Sequence, residues 1–256
     1  MRKIMITVLA AFAATELMAI QGTISTETDS KTGDIKWQPR AKIYVLTYKK
    51  GKTDLQMEFP LADVVSLDIP KPSTFDKAVS MVEGGQGAQA IQMLTKIVSE
   101  YRMLKWDKPA GRYLALAYID ANQAQKAYDL CQEIIRENKE AAYSGDLAAA
   151  YWQSLLKLGK MNQLEPLLKK AASSGDRPAS AAALNLRGDI IVANGNGSSD
   201  VYKSALRDGY LRVALMYTDQ ACTRERVEGM LKAADCFEKL GQAARAERLR
   251  NQAKEL

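Results

Sequence analysis

The sequence predicts an α+β protein, mainly α, in which a small β-rich module precedes an α-solenoid of about five helix pairs. Three observations carry this. Apolar and polar residues alternate between Gly22 and Pro70, apolar residues recur at helical spacing from Phe75 onward, and short Gly or Asn turns return about every 40 residues in the helical part. The organisation read from these signals is a signal peptide over 1–19, the β-rich module over 22–70 and the solenoid over 73–256.

The first residues, Met1-Arg2-Lys3, are basic, and residues 4–14 are apolar apart from Thr7. Such a run is shorter than the roughly twenty residues a membrane span needs, and small residues follow it, so it reads as a cleaved leader with a cut after Ala13 or Ala19. The expected location is periplasmic or secreted. Export would put Cys131, Cys222 and Cys236 where disulfides form. Their spacing on different helices, or far apart along one helix, makes them small buried hydrophobes instead.

The β-rich module is expected to hold strands at 23–27, 35–38, 42–48, 55–59 and 64–69, which are rich in Val, Ile, Thr, Tyr and Trp. Polar, glycine-containing turns fall at 29–33 and 49–52. Five short strands make a meander or an SH3-like barrel. Their apolar set is meagre for independent stability, so the module should pack on the first helices. Pro70 and Pro72 stop the last strand, and Ser73 or Thr74 caps the helix that follows. Residues 29–34 loosely match a calcium loop, but Lys31 and Gly33 stand where acceptor side chains are required, which leaves a plain turn.

In the helical part, Ala90, Ile91, Leu94, Ile97, Val98 and Tyr101 line one helix face, as do Val227, Met230, Leu231, Ala234, Phe237 and Leu240. Turns at Gly85, Asn122, Gly159, Gly195 and Gly241 each separate two helices. Two helices per unit at this period describe stacked pairs, each burying the next pair's apolar face.

These pairs resemble the tetratricopeptide repeat (TPR) family, in which small and aromatic residues precede the turn and a small residue follows it by about five positions. The match consists of Leu114, Ala115 and Tyr118 before Asn122 with Ala127 after it, Ala78 before Gly85 with Ala90 after it, and Ala233, Ala234 and Phe237 before Gly241 with Ala246 after it. An alanine lets two helix backbones approach, and the aromatic fills the space beside it. The third unit departs, with Trp152 where a small residue is usual and Leu164 in place of the alanine. The fourth has Gly188 in place, but residues 194–200 enlarge its turn. The resemblance spans 73–256.

It implies a protein or peptide partner bound along a concave face lined by the first helix of each pair. On this chain that face would present Arg112, Leu116, Gln153, Lys157, Asn185 and Asp189. The family's clamp for a chaperone C-terminal carboxylate needs Lys and Asn on neighbouring repeats, and only scattered members are present.

Composition narrows the chemistry. The 256 residues include no histidine, which removes Ser-His-Asp and Cys-His triads, HExxH zinc sites and imidazole proton shuttles. No catalytic, cofactor-binding or metal-ligating set stands out. The net charge is +6, yet Lys and Arg alternate with Asp and Glu, and the denser runs at 49–52 and 245–250 are short, so nucleic acid is not an expected partner. Gly85 to Ala90 fits G-x-G-x-x-A, but no parallel strand precedes it, and it reads as a turn between helices. Residues 195–200 read as a loop with Ser199 or Asp200 as helix cap, the alternative being an anion cradle.

The expected function is therefore a non-enzymatic, protein-binding scaffold, within an envelope assembly if the chain is exported, and without an integral membrane span. Two alternatives remain open: a glycan or small-ligand module on the strands, which clustered exposed aromatics at Trp37, Tyr44 and Tyr48 would favour, and a structural subunit that self-associates.

Overall fold

The computed structural model describes residues 6–7, 19–51 and 53–256. The segment read as a signal peptide therefore lies outside the described residues, apart from Ile6–Thr7 and Ala19. The strands are β1 (Ile6–Thr7), β2 (Ile20–Ser25), β3 (Ser30–Gln38), β4 (Ile43–Lys50), β5 (Thr53–Pro60) and β6 (Ser66–Asp68). The helices are α1 (Phe75–Glu83), α2 (Gly87–Glu100), α3 (Asp107–Asp120), α4 (Ala124–Glu137), α5 (Ala148–Lys157), α6 (Met161–Ala172), α7 (Arg177–Asn194), α8 (Ser199–Ala205), α9 (Leu211–Met216), α10 (Thr223–Lys239) and α11 (Ala243–Lys254). The fold class is as expected: α+β, mainly α, with TPR-like helix pairs preceded by an antiparallel sheet.

The chain divides into two compact units, Met1–Ala121 and Asn122–Leu256, so the division falls between α3 and α4 and not at Pro70 to Ser73. In the first unit the sheet order is β1-β5-β4-β3-β2-β6. Strands β2 to β5 form a meander, and β6 returns antiparallel to β2. The chain reverses at Thr26–Asp29, where Thr26 N donates to Asp29 O at 2.8 Å, earlier than the expected turn at 29–33. Gly33 misled that expectation. It lies inside β3 opposite Gly22, and a side chain there would stand 2.5 Å from the Thr47 carbonyl, so glycine serves a close strand approach.

The reason for the unit boundary is the segment joining α2 to α3. Leu104, 2% exposed, enters the sheet core with Ile24, Ile35, Leu46 and Ile69. Burying such a side chain is worth about 1.5 to 3 kcal/mol. To deliver it, Met103 and Lys105 take left-handed conformations, at φ 59° and 78°. Three hydrogen bonds hold this geometry: Tyr44 Oη donates to Met103 O at 3.0 Å, Trp106 Nε1 donates to Ile69 O at 2.9 Å, and Met103 N donates to Asp107 Oδ2 at 2.9 Å. The sheet thus packs on the first helices, as its small apolar set requires.

The helix pairs follow a common local rule. Gly85, Asn122, Gly159 and Gly241 turn the chain in the left-handed region, at φ 74°, 57°, 67° and 72°. Ala90, Ala127, Leu164 and Ala246, five residues after each turn, are all 0% exposed. Gly195 departs from the rule. Its φ is −86°, it caps α7, and Gly197 at φ 72° makes the left-handed step within the enlarged loop.

In the second unit, Trp152 on α5 is fully buried and donates Nε1 to Ala142 O at 2.8 Å. A 3₁₀ turn at Lys139–Ala142 lengthens the α4–α5 connection and supplies that carbonyl, which accommodates an indole where a small residue is usual. Asp176 caps α7, accepting from Ala179 N at 3.0 Å, and also accepts from Ser144 Oγ at 2.6 Å and Gly145 N at 2.7 Å. Helices α8 and α9 run on through a π-turn at Leu206–Tyr210. That turn touches α7 at glycine: a side chain on Gly209 would lie 2.8 Å from Gly188 Cα and 3.0 Å from Leu184 O. Cys131, Cys222 and Cys236 are free and buried, and burial pushes the Cys131 thiol up to about 12.

Candidate protein-binding surface

The six residues expected on a binding face pair up along their helices, four residues apart on one side: Arg112 and Leu116 on α3, Gln153 and Lys157 on α5, Asn185 and Asp189 on α7. The α3 pair belongs to the first unit and the other two pairs to the second. Leu116 and Gln153 are half-buried and Lys157 is exposed, in the last turn of α5, where a cation complements the helix carbonyls. Arg112 is half-buried with its guanidinium 5.6 Å from the Tyr113 ring centroid, and its Nε and Nη1 are shielded from solvent. It is less of an exposed cation than the sequence suggests.

The α7 pair is corrected. Asn185 is 1% exposed and donates Nδ2 to Glu225 O at 2.8 Å, against α10 where Gly229 lets the helices approach. It presents nothing to a partner. Asp189 is occupied internally: its Oδ1 accepts from Tyr210 Oη at 2.8 Å and its Oδ2 from Lys232 Nζ at 2.6 Å. Lys232 also pairs with Glu228 at 2.7 Å. Burial alone would lower the Lys232 ammonium, but Glu228 and Asp189 outweigh it and hold the group above its ordinary value. The two residues tie α7 to the π-turn and α10.

Sequence reasoning missed Tyr210, Glu228 and Lys232, because polar groups far apart in the chain carry no periodic signal. The visible clue was the glycines at 188, 209 and 229, which mark where backbones meet closely. A further polar-aromatic group joins α4 to α5 and α6. The rings of Tyr128 and Tyr151 stack 5.9 Å apart, and Lys160 Nζ lies 3.5 Å from the Tyr128 centroid.

The strand aromatics do not form an exposed platform. Tyr44 is 3% exposed, the Trp37 ring lies against it at 4.8 Å, and Tyr48 packs on the same core. Among the described residues no group of three or more His, Cys, Asp or Glu is placed to hold a metal ion. No described helix is long and apolar enough to cross a membrane.

No family model matches the chain, and no curated protein does. Solved structures do. A Podosopora anserina chain described as a kinesin light chain with nearly identical TPR-like repeats aligns over 72% of this chain and 92% of its own, at 16% identity and a TM-score of 0.41. MamA AMB-1 aligns over 72% of this chain and 97% of its own, at 20% identity and a TM-score of 0.36. MamA MSR-1 aligns over 71% and 94%, at 20% identity and a TM-score of 0.34. The periplasmic or secreted location expected from residues 1–19 is withdrawn: apart from Ile6–Thr7 and Ala19, the residues that carried it lie outside the described ones.

Proposed function

We propose that the chain is a non-enzymatic protein-binding scaffold whose partner lies along the outward face of a first helix in the second unit, at Gln153 and Lys157 on α5. The observation that carries this reading is the division of labour within each pair. Stacking uses the inner positions, with Ala90, Ala127, Leu164 and Ala246 0% exposed, and leaves mixed polar and apolar side chains on the first helices outside that packing. That surface is suited to an extended or helical segment of another protein. The strand module supports the scaffold: its aromatics are spent on its own core and on the α2–α3 segment, which disfavours a glycan platform.

Photo-cross-linking tests this in cells of the source organism. A benzophenone side chain placed at Gln153 or Lys157 should form adducts with a defined second protein. The same group at Glu165, exposed on the second helix of that pair, should not. Equal adducts at all three positions would remove the site. Adducts only with further copies of the chain would support self-association in place of a scaffold.

A further inference from the structure

Four charged residues lie around the place on the second unit where two helices touch at glycine. Gly188 on α7 lies against Gly209 in the π-turn, so their neighbours Arg187 and Asp208 come to the same surface, and Arg212, one turn beyond Asp208, joins them. Arg207 grips Asp208 with two hydrogen bonds, Nε to Oδ1 at 2.9 Å and Nη2 to Oδ2 at 2.8 Å. The hydrogen bond from Arg207 holds the Asp208 carboxyl below its ordinary value, the fields of Arg207, Arg187 and Arg212 act in the same direction, and burial opposes them. One guanidinium thus pairs with the carboxylate, and two more lie near enough for their fields to act on it. Arg187 and Arg212 are exposed, and neither forms an ion pair within 4.0 Å among the described residues.

From this geometry we propose that Arg187, Arg207 and Arg212 form a docking patch for a carboxylate-rich segment of a partner protein. The charge is complementary: one Asp leaves two of three fixed cations uncompensated, and the Arg207–Asp208 fork already displays the geometry an incoming Asp or Glu would adopt at Arg187 or Arg212. A nucleic-acid strand fits less well. Base binding needs an open aromatic face beside the cations, and the adjacent Tyr210 ring is 3% exposed, packed on Gly188. The choice of a polypeptide partner rests on the scaffold reading. The titration below does not involve Gln153 or Lys157, so its failure and a failed cross-linking experiment there are separate results.

The probe is a fluorescently labelled ten-residue glutamate peptide, titrated with the full chain and followed by anisotropy. The variant Arg187→Gln, Arg212→Gln removes only exposed, unpaired cations and should keep its circular dichroism. It should weaken binding about five-fold or more at about 50 mM salt, and the difference should shrink at about 300 mM. Asp208→Asn should tighten binding, since it frees Arg207. A control variant, Lys49→Gln, Lys50→Gln, changes two exposed cations on β4 and should bind like wild type. The proposal is overturned if wild type does not bind the peptide, if the arginine variant binds equally well, or if the control loses as much. It is also overturned if a thymidine oligonucleotide of equal charge binds more tightly with the same dependence on Arg187 and Arg212, which would assign the patch to nucleic acid.

Discussion

The ring of Tyr210 lies against the backbone of Gly188 so closely that a methyl group at 188 would stand 2.4 Å from ring carbon Cε1. The ring has little room to yield. It is 3% exposed, and its hydroxyl is tied to Asp189, one residue along α7 from that glycine. This contact fixes the approach of α7 to the π-turn, and with it the place of Arg187 beside Asp208.

Gly188→Ala is therefore expected to destabilise the chain by about 1 to 3 kcal/mol, the usual cost of overpacking. Tyr210→Phe keeps the ring and removes the hydroxyl, with an expected loss of about 0.5 to 1.5 kcal/mol. Urea denaturation midpoints measure both. The alanine variant should be the more damaging of the two, and the reverse order would mean that the hydroxyl network matters more than the close approach.

Ala127 is 0% exposed, five residues after the left-handed turn at Asn122. Ala127→Leu should cost about 1 to 3 kcal/mol by the same overpacking argument. Leu164, at the corresponding position after Gly159, is also 0% exposed, so its pair has already made room for a larger side chain. Leu164→Ala should then leave a cavity and cost about 2 to 5 kcal/mol. An unchanged midpoint in either variant contradicts the shared register.

Asp176 carries a pH dependence of known sign. Burial would raise its carboxyl, but the bonds from Ser144, Ala179 N and Gly145 N outweigh that and lower it below the usual value. A carboxyl lowered in the folded state contributes stability that is present above the unfolded value of about 3.9 and is lost as pH falls through the folded value. Asp176→Asn can keep the cap to Ala179 N but turns an amide NH2 toward Ser144 and Gly145, and should cost about 1 to 3 kcal/mol at neutral pH, the range for buried donors left unsatisfied. The difference between wild type and variant should narrow below about pH 4, read from denaturation midpoints across that range.

Tyr44 behaves in the opposite sense. Burial, helped by the charge of Asp107, pushes its phenol up to about 12. The stability that its neutral hydroxyl supplies is complete below the unfolded value of about 10 and fades as pH rises toward the folded one. Tyr44→Phe orphans the Met103 carbonyl and should cost about 1 to 3 kcal/mol near pH 8, with a smaller difference near pH 11. A difference that grows with pH would contradict the burial of the phenol.

Much of this fold was legible in the sequence, because it rests on local signals. The left-handed turns at Gly85, Gly159 and Gly241 and the buried small residues after the turns follow from steric rules that act within one helix pair. The five expected strands are present, with ends displaced by a few residues. What the sequence did not disclose depends on contacts between distant segments. Gly33 reads as a turn until Thr47 is seen beside it, and Leu104 reads as loop until it enters the sheet. Asn185 and Asp189 lie at the right helical positions for an outward face, yet Glu225, Tyr210 and Lys232 claim them. Only Arg112, Leu116, Gln153 and Lys157 are left from the expected set.

The central claim is that a partner protein is held by the outward face of α5, and its most direct measurement is affinity for the partner identified by cross-linking. Wild type is compared with Gln153→Ala and Lys157→Ala, singly and together, at low and high salt. Lys157 is an exposed cation and Gln153 is neutral and half-buried, so Lys157→Ala should weaken binding at low salt and lose most of its effect at high salt, whereas the effect of Gln153→Ala should persist. Equal affinities for all variants at both salts, with circular dichroism unchanged, would contradict the account and move binding off this face.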